Sequence, residues 1–269
     1  MSSRAWLLRE GAGRKATGAA GGEAGQEGSL ANHISLGQVV VDAKSNEITA
    51  IPKLLEMLDL SGALVTIDAM GCQTEIASKI VDAGGDYVLS VKDNQPTLHQ
   101  DLIFFFADHH ADGFARVNVR RYETHEHGHG RDEMRFYSIC PVPDDLADQE
   151  RWRKLRAIGL GTSNTVRDGK ECIERRYYIL SRFVSGKRFA GAVRSHWSIE
   201  NRLHWQLDVT FQEDQSRIRK GHADANFSSL RRTALSLLKY NHTKKVGIKN
   251  KRLLAALNDD YLTEVLAGK

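Results

Sequence analysis

The pattern of apolar and polar positions changes character three times along the chain. Residues 1–30 hold seven Gly and six Ala and show no apolar period of two or 3.6, so they bury too little surface to offset their ordering entropy. That stretch reads as disordered. From Leu36 short apolar runs alternate with amphipathic segments: LGQVVVDAK predicts a strand, ITAIPKLLEML a helix, ALVTID a strand and CQTEIASKIVDAG a helix. YVLSVK then predicts a strand and PTLHQDLIFFFADH a helix. Strands alternating with helices of this length imply crossover connections and a largely parallel sheet covered on both faces.

Near Phe114 the period shortens. FARVNVRRYETH and DEMRFYSIC alternate like hairpin arms around EHGHGR, and KLRAIGLGT and ECIERRYYILS predict two further strands turning at Asp168 and Gly169. Helical periodicity returns from Gly186 to Tyr240 and dominates to the end. The expected organisation is a Gly/Ala-rich leader over 1–35, an α/β segment over 36–113, a β-rich block over 114–185, a helical region over 186–240 and a basic helical tail over 241–269.

Composition narrows the class. With 41% hydrophobic and 27% charged residues in 269, the chain can bury a normal core. No apolar run approaches a membrane span, and Ala5 to Leu8 is too short for a signal-peptide core. The expectation is a soluble cytoplasmic protein with no membrane partner. Three widely spaced cysteines, Cys72, Cys140 and Cys172, offer neither a disulfide framework nor a zinc-knuckle spacing.

Charge adds a partner. From Gln215 to Arg252 eleven Lys and Arg face one acid, Asp224, a local excess of ten on a chain whose net charge is only +4. Such an excess draws a polyanion and releases its counterions, which points to a nucleic acid. Arg217, Arg219, Lys220, Arg231, Arg232, Lys244 and Lys245 are the residues expected to meet phosphates. A solvated helical face is the alternative.

Two places carry candidate chemistry. Asp68 ends the strand ALVTID, and the carboxyl ends of strands are where open α/β sheets hold ligands. An Asp there is also a common helix cap. In RSHWSIENRLHWQLD a continuous helix would set His196, Glu200, His204 and Asp208 four apart in one polar stripe, beside an apolar ridge of Ile199, Leu203 and Leu207. The stripe suits pairing of His and Glu along a surface helix, or metal binding. A zinc hydrolase using His196, Glu200 and His204 stays open, with His125, His127 and His129 of HEHGHGR as an extension, although the His-Glu-x-x-His spacing is absent.

The segments VDAKSNEITAIPKLLEMLDLSGALVTIDAMGCQ, GGDYVLSVKDNQPTLHQDL, HGHGRDEMR and RSHWSIENRLHWQLDVTFQEDQSRIRKGHADANFSSLRRTALSLLK together resemble bacterial insertion-sequence DDE transposases. The similar branch includes the H-repeat-associated proteins found beside Rhs elements, and the resemblance runs from Leu36 to Leu238. It implies a ribonuclease-H-like core interrupted by a β-rich insertion, with three carboxylates holding two Mg²⁺ or Mn²⁺ ions for cleavage and joining of DNA. Asp68 matches the second catalytic Asp and Glu200 the catalytic Glu, and His196, Asn201, His204 and Asp208 are expected to support them. The implied partners are element ends and target DNA, with an oligomer forming on DNA, so the protein is expected on the nucleoid when bound. The family's first Asp sits in a DGK-type motif on an upstream strand, and no Asp precedes Asp42 here. That departure implies an N-terminally truncated, catalytically incomplete copy.

Overall fold

A computed structural model describes residues 6–8, 47–128, 131–167, 169–199, 205–218, 220 and 222–268, with the backbone alone described at 6–8, 47–50, 197–199 and 225. The chain divides into two compact units, Met1–Glu10 with Val41–His196 and Gly11–Val40 with Trp197–Lys269. The first unit is mixed α/β. Its elements are β1 (Trp6–Leu8), α1 (Glu47–Glu56), β2 (Leu64–Ile67), α2 (Thr74–Asp82), β3 (Asp86–Val91), α3 (Pro96–Ala111), β4 (Arg120–Gly128), β5 (Arg131–Pro141), β6 (Ala157–Arg167), β7 (Lys170–Leu180) and α4 (Gly186–Ile199).

One sheet runs β1-β2-β3-β7-β6-β5-β4. Strands β2 and β3 are mostly apolar and buried at all positions but Asp86, which is half-buried, because both of their faces are covered, and they pair in parallel, Leu64 opposite Asp86 and Ile67 opposite Leu89. The residues Tyr177 and Tyr178 point to opposite faces of β7. Tyr177 meets Phe106 of α3, whereas Tyr178 meets Phe189 of α4, so helices cover both sides. Phe189 is fully buried over Gly159, where an added Cβ would sit 2.5 Å from the ring. Only glycine fits there.

Three expectations change. The sheet was expected to be largely parallel, but among the described residues β2–β3 is its one parallel pair. Within the block over 114–185, β4 and β5, and likewise β6 and β7, are two residues apart, a connection that links only antiparallel neighbours, and β7 hydrogen-bonds the block to β3. The block is therefore part of the same sheet. Within the stretch read as disordered, Trp6–Leu8 form a strand antiparallel to β2, since three consecutive apolar residues can complete an exposed sheet edge. The expected strand LGQVVVDAK lies outside the described residues.

The second unit contains a π-helical turn (Gln206–Thr210), α5 (Ala223–Tyr240), α6 (Ile248–Leu257) and α7 (Asp259–Leu266). A small core of Leu238, Tyr261 and Val265, with Phe211 and Ile248 against it, joins these helices. Among the described residues no helix is long and apolar enough to cross a membrane.

Candidate functional site

Strand β2 delivers Asp68 at its carboxyl end, in extended backbone and half-buried. The next three residues form a 3₁₀ turn, Ala69–Gly71, and Asp68 Oδ1 accepts a hydrogen bond from Gly71 N at 3.3 Å. Gly71 is buried against the side chains of Ile67 and Ile51, so a Cβ there would meet both. The turn is also held from outside. Asn94 Nδ2 donates to Ala69 O at 2.6 Å, and Gln95 Nε2 donates to Cys72 O at 3.0 Å. Parallel pairing brings the ends of β2 and β3 to the same side, so the loop after β3 can clamp the loop after β2.

These two amides were missed from sequence. Their signal was VKDNQP, two adjacent side-chain amides just before a helix that starts with Pro96. The pairing of β2 with β3 is what gives them their role.

Helix α4 approaches the same strand. His196 is buried, and its Nδ1 lies 3.2 Å from Thr66 Oγ1. Thr66 and Asp68 are two residues apart, on one side of the extended chain. Burial, aided by the nearby Arg176 charge, pushes the His196 pKa down to about 4. A neutral imidazole at that depth is a packing and hydrogen-bonding group. Glu200, Asn201 and His204 lie outside the described residues. Asp208 sits in the π-helical turn, where Phe211 N bonds to Gln206 O at 3.1 Å, five residues back. The widened turn breaks a strict spacing of four, while Leu207, on the expected apolar ridge, is fully buried.

A carboxylate at a strand end is a hard oxygen donor of the kind Mg²⁺ prefers, and Asp68 fits that role. Among the described residues the one group of three metal-ligating side chains is His125, His127 and Asp132, which does not include Asp68. A cleft of about 890 Å³ lies between α3 and the antiparallel strands, lined by Phe106, Phe114, Tyr122, Tyr137 and Tyr177 among others. None of its lining residues belongs to the Asp68 turn.

The basic segment separates into two kinds of residue. Arg217, Lys220, Lys244 and Lys245 are exposed, and Arg231 and Arg232 half-buried. Arg219 lies outside the described residues. Lys251, counted in the same run, is buried, its Nζ bonded to Leu238 O at 3.0 Å and to Asn241 O. It closes the end of α5, where a cation suits the exposed carbonyls. Arg252 bonds Thr210 O and lies over the Phe211 ring at 5.4 Å. Both are structural cations.

Residues 29–237 match the family model described as Transposase DDE domain, a match that starts inside the stretch read as a leader. The chain is 40% identical over 248 residues to the protein YbfL of Escherichia coli (strain K12), covering 89% of this chain and 64% of that protein. It is equally similar, with the same coverage, to YhhI of the same strain, whose name marks it as a candidate H repeat-associated transposase. Identity is 44% over 246 residues to YncI of Escherichia coli O157:H7, named as a candidate transposase, covering 88% of this chain and 61% of that one. The chain thus spans less than two thirds of the length of these relatives. No solved structure matches it. The zinc-hydrolase alternative finds no support in these similarities.

Proposed function

The chain belongs to the DDE transposase family, and on that premise we propose that it binds the ends of a mobile DNA element through its basic segment. Asp68 and Glu200 are, in this reading, two of the three acids of a ribonuclease-H-like centre. Transposases act on DNA, and their DDE domains use divalent cations. Asp68 and Glu200 would hold Mg²⁺ or Mn²⁺, two ions in an intact family member. Such ions activate the attacking water and stabilise the leaving oxygen of a phosphodiester.

The observation that carries this reading is the clamped strand end. Asp68 has the residue type, the half-exposure and the position at a parallel strand that metal-assisted phosphoryl chemistry asks for, and its turn is fixed by Asn94 and Gln95. The pairing of His196 with Thr66 supports a role for Glu200. His196 precedes Glu200 by four residues in sequence, and its partner precedes Asp68 by two. No Asp before Asp42 matches the family's first acid, so the 269 residues as they stand are proposed to bind DNA without cutting it. Oligomerisation on DNA and association with the nucleoid follow from the same reading.

Mn²⁺ tests the acidic pair without reference to activity. Paramagnetic broadening should centre on both Asp68 and Glu200 and vanish in Asp68→Ala. Broadening around Asp68 that leaves Glu200 sharp would refute a shared ion. Anisotropy titrations with duplex DNA test the other half. Affinity should fall by orders of magnitude between about 50 and about 200 mM salt. A salt-independent affinity would remove the basic segment from the proposal.

A further inference from the structure

The β4–β5 hairpin sorts its polar residues by face. Glu126 and Glu133 are cross-strand partners on one face. There Glu126 pairs with Arg135 and Arg194, and Glu133 with Arg131 and Arg135 and with Ser163. On the other face Asp132 stands directly opposite His127, and His125 lies two residues back along the same strand. His125 Nε2 is 2.6 Å from Asp132 Oδ1, and His127 Nδ1 is 2.9 Å from the same oxygen. The two rings meet edge-on at 5.2 Å. The three ligand atoms all lie within 4.8 Å of one another.

We propose that His125, His127 and Asp132 form a Zn²⁺ site near the tip of this hairpin, separate from the Asp68 centre and independent of the transposase reading. Two imidazole nitrogens and one carboxylate oxygen are a donor set that zinc takes with a fourth position open to water. Zinc–ligand bonds of about 2.0 to 2.2 Å in a tetrahedron separate the ligand atoms by roughly 3.3 Å. To reach that separation the His127–Asp132 distance opens by about 0.4 Å and the His125–Asp132 distance by about 0.7 Å. Both histidines are exposed and Asp132 is half-buried, so an ion can enter from the solvent side of the two rings. The segregation by face strengthens the case. The arginines that would otherwise neutralise a hairpin carboxylate are engaged with Glu126 and Glu133 on the opposite side. The ion would tie β4 to β5 near their turn and stabilise the hairpin by mass action.

Calorimetric titration of the EDTA-stripped full chain with Zn²⁺ tests the site. The wild type should bind one ion in this set. His125→Ala, His127→Ala and Asp132→Asn should each weaken it at least tenfold, since loss of even an outer-shell partner costs on the order of tenfold. His125→Gln gives the same comparison with side-chain volume kept, and Cys172→Ser, at the exposed cysteine, should change nothing. Zinc should raise the melting temperature of the wild type and of Cys172→Ser but of none of the other variants. Equal zinc affinity in the wild type and in a variant carrying His125→Ala, His127→Ala and Asp132→Asn together would overturn the proposal. So would a wild type that takes up no zinc at about 100 μM.

Discussion

The strand end at Asp68 and the basic helices after Gln215 use polar residues in opposite ways. Around Asp68 a few groups are fixed one to one: Gly71 N on the carboxylate, Asn94 and Gln95 on the turn's carbonyls, His196 on Thr66. In the basic segment eleven cations face a single acid, and most of the described ones are exposed. Removing a group of the first kind leaves a partner unsatisfied and has a large, specific cost. Removing one of the second kind subtracts a small, salt-screened increment. Lys251 crosses this division, because it belongs to the basic run by sequence and to the fixed kind by burial.

The largest expected effect breaks the fixed set by pH. Unfolded, His196 takes up its proton near pH 6.5; folded, it does so only near 4. The unfolded state therefore binds more protons between those values, and stability is full above about pH 6.5, falls on acidification toward about pH 4 and then levels. A shift of this size corresponds to on the order of 3 kcal/mol. Denaturant titrations across that range should show the loss, and His196→Asn should remove its slope while lowering stability at neutral pH. A slope that persists in the variant would assign it elsewhere.

Next in size is the contrast within the basic run. Lys251→Ala leaves the carbonyls of Leu238 and Asn241 without their donor and should cost about 1 to 3 kcal/mol. Lys249→Ala, at an exposed position two residues away, should stay within about 0.5 kcal/mol. Hydrogen exchange at the α5–α6 junction would separate them, and equal protection in both variants would erase the distinction drawn between fixed and shared cations. Smaller for each residue is the effect on DNA. Replacing Arg231, Arg232, Lys244 and Lys245 with Ala should flatten the log-log salt dependence by up to about 0.9 for every phosphate that is no longer neutralised. An unchanged slope would make the run a solvated face.

Much of the first unit was legible in sequence. Strands β2 to β7 and helices α1 to α3 fall where apolar periodicity predicts them, because segments buried on one or both faces have to carry the period of their geometry. The sheet's organisation was not legible. Nothing local in ECIERRYYILS says that its second half pairs with YVLSV, and that pairing decides that the β-rich block extends the sheet. At the site, Asp68 was visible from its strand-end position, whereas Asn94 and Gln95 depend on which strands are neighbours. Asp132 was missed beside two noticed histidines for the same reason: cross-strand register brings it to His127. Lys251 was counted in the basic run, because composition signals charge and only packing shows burial.

The smallest expected effect is none. Incubated with supercoiled plasmid, element ends and Mn²⁺, the 269-residue chain should neither nick nor join DNA, so Asp68→Ala should change nothing in that assay. In two-metal chemistry both ions are held in register with the phosphate. If Asp68 and Glu200 held the metal alone, the ion that a third acid would anchor would lack an anionic ligand, and Mg²⁺, reluctant to lose water, would keep its hydration shell. Misplacement of about 1 Å already costs on the order of a hundredfold in rate. Two acids are the substitutes to consider. Asp42 follows the segment predicted as the strand before α1, not the family's opening strand. Asp208 lies eight residues beyond Glu200 in sequence, which on a continuous helix would be about 12 Å away. Metal-dependent cleavage by the wild type that disappears in Asp68→Ala would sink this prediction. It would also mean that a further residue completes the centre, and Asp42→Ala and Asp208→Ala would then identify which.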